Sequence, residues 1–246
     1  MSFAIPVSGA SGRRGVGRPR HSAVSSTLSP RDQVLDAAGR LFVTRGFAAT
    51  STREIAEKVG IRQASLYYHF AGKDEILAAL LERTLRPTLD QVDQTLALTA
   101  EDPRPTALYL LALVDIDTLA TAPHNIGLLA GVPDIVSSPA AEAYVASRND
   151  LLNAYRDLAH TVATESGTDD LDPEDLGELV LQLVEGVIRI RARGRAITTS
   201  TARSIASSCL RLCGVGAEDL LVARSVAQER LVDFATSREG SNEITD

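Results

Sequence analysis

Gln63-Ala64-Ser65-Leu66-Tyr67-Tyr68-His69 is the stretch of this chain with the densest set of directed chemical groups: an amide, a hydroxyl, two phenols and an imidazole. At about 100° per residue, a helix here turns Leu66 inward together with Ile61 and Phe70. Ala64, Ser65 and Tyr68 then face away, with Tyr67 and His69 on the flanks. Such a surface suits the major groove of a duplex, where amides and hydroxyls hydrogen-bond base edges and small apolar groups touch thymine methyls. Core packing explains Ile61, Leu66 and Phe70, but not three consecutive polar aromatic or imidazole side chains from Tyr67 to His69. Thr52, Arg53 and Lys73 fall at neighbouring helix starts, where free amides and cations favour phosphate.

Other chemistries find little support. His21, His69, His124 and His160 show no ligand spacing, and the chain has no Gly-rich phosphate loop, HExxH, CxxC pair or GxSxG elbow. No catalytic residue, metal or cofactor is therefore expected. The rival readings are an enzyme using His124 or His160 with nearby carboxylates, and a helical protein-binding adaptor that has lost contact with DNA. Loss of Tyr67, Lys73 or the basic N-terminus would favour the adaptor, and all three are present. Cys209 and Cys213, spaced i, i+4, read as small buried hydrophobes rather than a redox or metal pair.

Charge divides along the chain. The net charge is −7, yet residues 1–86 hold 13 Lys and Arg against 7 Asp and Glu, a balance of +6, which leaves −13 for the rest. A basic head on an acidic body fits a polyanion footprint confined to one end. No apolar run reaches the roughly 18 residues of a membrane span, and no apolar core follows the N-terminal arginines as in a secretory signal. A cytoplasmic protein is the expectation.

The elements that must position these residues are all helical. Residues 1–29, rich in Ser, Gly and Pro and free of acids, read as a flexible basic arm. From Pro30, Val34, Leu35, Ala38, Leu41 and Phe42 recur on one helical face until Gly46. Ser51-Thr52-Arg53-Glu54 matches a capping box and opens a second short helix, which Gly60 breaks before the third over 63–70. Three helices with a tight Gly-containing turn form a helix-turn-helix domain over 30–76. Further helices are predicted over 73–98, with a kink at Pro87, and over 103–121, after Asp102-Pro103. Others follow at 125–131, from Pro139 (capped by Ser138) to about 165, at 173–193, at 201–214 and at 217–236, before a polar tail over 237–246. The fold class is all-α: a three-helix head, then a larger helical body over 77–236.

The segment Ala37–Leu77 resembles the DNA-binding domain of the tetracycline-repressor (TetR) family. Phe42, Gly46, Thr50, Ile55, Ala56, Gly60, Leu66, Tyr67, Phe70, Lys73 and Leu77 carry the likeness in order, over about fifty residues. It implies a transcriptional regulator, most often a repressor released from double-stranded operator DNA by a small-molecule effector. On this resemblance Tyr67 and Lys73 contact phosphate, while Thr52, Arg53, Gln63, Ala64, Ser65, Tyr68 and His69 face the groove. Arg18 and Arg20, in Arg13-Arg14-Gly15-Val16-Gly17-Arg18-Pro19-Arg20, are similar to short minor-groove binders; groove insertion and a solvated basic tail both stand open.

By the same resemblance the body holds an effector in its middle helices and pairs through its last ones. Tyr109, Asp117, His124, Tyr144 and Tyr155 are the candidate ligand contacts, in a mainly Leu, Val and Ile cavity suited to a moderately hydrophobic molecule. Asp115 and Asp117 end a nearly apolar helix; a cationic ligand, a cross-domain arginine and plain solvation are open to them. The helix with Leu176, Leu179, Val180, Leu183, Val184, Val187 and Ile188, plus Gly177 and Gly186, is expected to pair a homodimer together with Ile205, Ala206, Cys209, Leu210 and Cys213. Such a twofold predicts an inverted-repeat operator. The arginines of 189–195 read as solvating a helix end and complementing its dipole.

Overall fold

The computed structural model of the protein describes residues 28–168 and 171–242, with the backbone alone at Asp134 and 233–242. Arg18 and Arg20 therefore lie outside the described residues. Three helices make the head: α1 (Pro30–Arg45), α2 (Thr52–Val59) and α3 (Gln63–His69). The long α4 (Lys73–Leu98) leads from the head into the body, followed by α5 (Arg104–Thr121). A 3-10 segment (Pro123–Gly131), the short α6 (Pro133–Val136) and a 3-10 turn (Pro139–Ala141) then lead to α7 (Glu142–Glu165), α8 (Pro173–Ala192), α9 (Thr199–Leu212) and α10 (Ala217–Asn242). Among the described residues there is no strand, and no single helix is long and apolar enough to cross a membrane.

Local signals set the head. The Ser29 hydroxyl accepts from the Asp32 amide and Pro30 opens α1. The capping box of α2 is complete: Ser51 Oγ accepts from the Glu54 amide at 3.2 Å, and Glu54 Oε2 accepts from the Ser51 amide at 2.8 Å. That backbone bond, aided by the Ser51 hydroxyl, holds the Glu54 carboxyl below the usual range. Gly60 ends α2 at φ +81°, where a side chain would be strained, and the chain turns into α3. Val34, Leu35, Ala38, Phe42, Ile55, Ala56, Leu66 and Phe70 are buried as the head's core.

The body is wound around α5, which packs against α4, α7, α8, α9 and α10. This central position explains why Leu108–Ala112 is buried on every side instead of showing one apolar stripe. Burial of each such aliphatic side chain contributes on the order of 1.5–3 kcal/mol.

The structure departs from the sequence reading where side chains chose other partners. Residues 123–131 form 3-10 turns instead of an α-helix, because His124 and Asn125 take left-handed backbone conformations at φ +61° and +52°. The helix expected from Pro139 begins at Glu142; the Ser138 hydroxyl donates to the Ile135 carbonyl at 2.6 Å and caps nothing. Asp102 gives its carboxylate to Arg230 of α10, at 2.8 and 2.9 Å, so α5 starts uncapped at Arg104. That bond to Arg230 holds the Asp102 carboxyl below its ordinary range. Thr198 accepts from the Thr201 amide and starts α9 two residues earlier than expected. Helix α10 continues to Asn242, through part of the expected tail, and α4 is a single helix through Pro87.

Replacing Ser51 with Ala removes one half of the capping box and is expected to lower unfolding free energy by about 1 kcal/mol. Urea unfolding of the two proteins measures it, and an unchanged midpoint contradicts the role given to the cap.

Candidate nucleic-acid interface

Helix α3 presents two faces of opposite character. Leu66 and Phe70 are buried, while Gln63, Ala64, Ser65 and Tyr68 are exposed, Tyr68 to 87%. Tyr67 is half exposed, and His69 lies at the edge, its ring 5.3 Å from that of Tyr68 in an edge-to-face pair. The guanidinium of Arg31 stands 4.7 Å over the Phe70 ring and covers the end of α3 from the α1 side.

Polar bonds tie α3 to α2 on the outer surface. Gln63 Nε2 donates to Thr52 Oγ1 at 3.0 Å and approaches Tyr67 Oη at 3.4 Å; the Thr52 and Tyr67 hydroxyls are 3.2 Å apart. The first residue of α2 and two residues of α3 are thus pre-arranged as one patch before any ligand arrives, which lowers the ordering cost of binding. Arg53 is exposed and pairs with Glu57 at 2.9 Å, an i, i+4 contact worth little in water and easily exchanged for phosphate. Lys73 is more committed. Its ammonium donates to the Phe47 carbonyl at 2.8 Å and lies 4.3 Å from the Phe47 ring centre, so it braces α4 against the α1–α2 loop. Nine of the eleven groove and phosphate candidates lie among the described residues, and of these Thr52, Gln63 and Tyr67 are bonded together; Arg18 and Arg20 are not among the described residues.

The five candidate effector contacts do not converge. Tyr109 is buried on α5 with no partner for its hydroxyl; Asp117 is exposed beside a groove walled by α5, α9 and α10. His124 bonds Asp36 of α1, and Tyr155 is buried against Asp115. Only Tyr144 lines a cavity of about 500 Å³ between the 3-10 segment, α7 and α8. Leu128, Val136, Val145 and Ile188 supply its apolar wall; Arg148, Gln182 and Glu185 supply hydrogen-bonding groups. The candidates sit on different elements, Tyr109 and Asp117 on α5, His124 in the 3-10 segment, and Tyr144 and Tyr155 on α7, and packing gives each a different neighbour.

Asp115 is buried and turns to neighbouring hydroxyls. Its oxygens accept from Thr88 at 3.0 Å and Tyr155 at 3.1 Å, joining α4, α5 and α7 at one point. Burial pushes its carboxyl up to about 7, against the pull of those two bonds. Burial likewise pushes Tyr144 up to about 12, with the Glu185 charge adding to it. Arg148 is clamped by Glu185 and Glu178 at 3.1 Å; burial works against its charge, but the glutamates more than offset it. Arg191, read from sequence as solvating a helix end, instead turns inward and donates to the carbonyls of Leu119 and Ala122. Burial raises both Cys209 and Cys213 to about 12, so they stay protonated and unpaired. Most of the face expected for pairing is also spent inside the protomer: Leu176, Val180, Val184 and Val187 are buried, and a Cβ on Gly177 would lie 2.8 Å from Arg156 Cα of α7. Leu179 at 45% and Leu183 at 37% remain outward.

The geometry has counterparts among known proteins. Residues 34–80 match the family described as bacterial regulatory proteins, tetR family. The crystal structure of Mycobacterium smegmatis AmtR superposes with a TM-score of 0.72 and 33% identity, covering 87% of this chain and 98% of that one. The chain belongs to the tetR family. Two curated members match over part of the chain: the transcriptional activator FasR of Mycolicibacterium smegmatis, 36% identical over 94 residues (37% of this chain, 43% of FasR), and the transcriptional repressor KstR2 of the same organism, 41% identical over 66 residues (27% and 30%). The chain thus aligns with less than half the length of either curated relative. Family membership accounts for the head's three helices, whereas the Asp115 junction is described by this chain's own geometry.

The raised Asp115 carboxyl carries a pH consequence. Between about pH 4 and 7 the folded protein keeps a proton that the unfolded chain releases, so this group's contribution to stability falls across that window and levels off above it. Asp115→Asn removes the titration. The variant's stability relative to wild type is expected to rise from pH 5 to pH 8 by a few kcal/mol, on the order of 1.4 kcal/mol per pH unit at most, in urea unfolding series. Parallel profiles for the two proteins contradict it.

Proposed function

We propose that this protein is a sequence-specific DNA-binding transcriptional regulator, in which α3 enters the major groove and α2 and the start of α4 hold the phosphates. The observation that carries the reading is the patch of Thr52, Gln63 and Tyr67, hydrogen-bonded together beside exposed Ala64, Ser65 and Tyr68, on a helix whose other face is buried. The positive balance of residues 1–86 supplies the nonspecific attraction, and the acidic body stays off the duplex. Within this reading Thr52, Arg53, Gln63, Ala64, Ser65, Tyr67, Tyr68, His69 and Lys73 are the contacts, and Arg18 and Arg20 extend them into the minor groove.

The rest of the reading follows from symmetry and from the body. Two copies pair through the outward remainder of α8, Leu179 and Leu183 with the bare Gly186, together with α9; a twofold places two copies of α3 on an inverted repeat. The effector occupies the cavity beside Tyr144. The mixed lining of that cavity refines the expected ligand to a small molecule with an apolar body and a hydrogen-bonding end. Repression relieved by the effector is the mode the head resemblance favours, although FasR is named an activator and KstR2 a repressor.

Selection of bound sequences from a random duplex pool, followed by gel shifts across a salt series, tests the core claim. An inverted repeat and a steep salt slope are expected. Gln63→Ala is expected to weaken the selected site by about 1–3 kcal/mol, while Arg53→Ala weakens all duplexes alike and flattens the salt slope. Recovery of no preferred sequence, or an unchanged preference in Gln63→Ala, would overturn the reading.

A further inference from the structure

Arg62 breaks two local rules at once. It stands just ahead of α3 in an extended conformation, φ −74° and ψ +146°, and its carbonyl accepts from the amides of Ser65 at 2.9 Å and Leu66 at 3.3 Å. This is the N-cap position, where a Ser, Thr, Asp or Asn side chain accepts from a free amide. Ser29 does so for α1 and Ser51 for α2. A guanidinium has donors only, so α3 starts without a side-chain cap. Its charge is also misplaced, because the start of a helix carries partial positive charge. From α1 to α4 the other charges keep that rule: Asp32, Glu54 and Asp74 lie in first turns, Arg45 and Lys58 in last turns.

The side chain gains nothing in exchange inside the protein. Arg62 is exposed, and among the described residues its guanidinium has no ion pair, hydrogen bond or ring contact. Arg31, Arg45, Arg53 and Arg83 all have partners, in Phe70, Glu54, Glu57 and Asp32. The charged groups of Arg40 and Lys58 lack one too, but neither stands at a helix start. A residue that costs its own helix and is not repaid by the fold marks a functional position. Arg62 also adjoins a surface already organised for a ligand, since Gln63, next in the chain, donates to Thr52 and approaches Tyr67.

We propose that Arg62 is a specificity-determining residue of the DNA interface and reads a guanine in the major groove, a role that deepens the regulator reading and rests on it. A guanidinium offers parallel donors, and guanine presents two acceptors, N7 and O6, on its groove edge. Adenine pairs an acceptor with a donor, thymine has one acceptor, and cytosine a donor. Phosphate accepts the same group, but the N-terminal residues of a groove helix are those that meet base edges. Consecutive Cα atoms lie about 3.8 Å apart, close to the ~3.4 Å rise of one base step. Arg62 therefore falls on the base pair that Gln63 meets or on the one beside it. The cost at the start of α3 is offset only on a duplex that carries guanine there.

The test selects duplexes from a random pool with the full-length wild type, Arg62→Ser and Arg62→Ala. The wild type is expected to recover a guanine in each half-site, at or beside the position that Gln63→Ala relaxes. Both Arg62 variants are expected to lose preference at that guanine, keep the rest of the half-site, and bind the wild-type sequence about ten- to a hundredfold more weakly. Urea unfolding separates this role from a structural one. Arg62→Ser installs a cap and is expected to raise the midpoint, while Arg62→Ala leaves it close to wild type. Equal weakening on every duplex with the preferences intact, as a phosphate contact gives, overturns the proposal, and so does a lower midpoint in Arg62→Ser. A wild type that selects a sequence lacking that guanine removes the role of Arg62 and leaves the regulator reading standing; one that selects no sequence removes both.

Discussion

Leu66 and Phe70, buried beneath α3, hold in place everything that the outer face of that helix can do. Seven residues fall well below the roughly 12–15 needed for a helix to persist alone in water. Helix α3 also has no side-chain cap at its start, where Arg62 stands. Its order is therefore borrowed from the apolar surface of α1 and α2, from Arg31 over Phe70, and from the Thr52–Gln63–Tyr67 bonds. The side chains that face outward are consequently presented in one arrangement, which is the condition for reading a base edge.

The body solves a different problem. Its central helix is surrounded, so polar groups on it must find partners inside or bear the cost of burial. Asp115 does this with two hydroxyls, from α4 and α7, at a point where three helices meet. Gln91 Oε1, Thr95 Oγ1, Thr106 Oγ1 and Tyr109 Oη are buried without such partners. The interior along α4 and α5 is thus less apolar than the residue count implies.

Head and body are joined in more than one place. Helix α4 is continuous with both, and Lys73 braces its first turn on Phe47. The 3-10 segment touches α1 from the body side. This second connection was invisible in the chain: nothing in Pro-His-Asn-Ile-Gly announces that a histidine will meet an aspartate 88 residues away. The apolar residues from Ile126 read as part of a short helix over 125–131, and only the left-handed pair His124 and Asn125 shows 3-10 turns in its place.

What could be read in advance was local. Capping residues, glycine stops and a 3.6-residue apolar period act within a few positions, so the head helices, the box at Ser51 and Glu54, and the outward set on α3 were legible from the order of residues alone. Partners distant in the chain were not. Asp102 chose Arg230 over capping, Arg191 chose two carbonyls over solvent, Gly177 admitted α7 instead of a second subunit, and the tyrosines proposed to share a pocket were sent to separate places on α5 and α7. Periodicity states which residues share a face; what that face meets depends on how the helices are packed, and tertiary packing alone decides it.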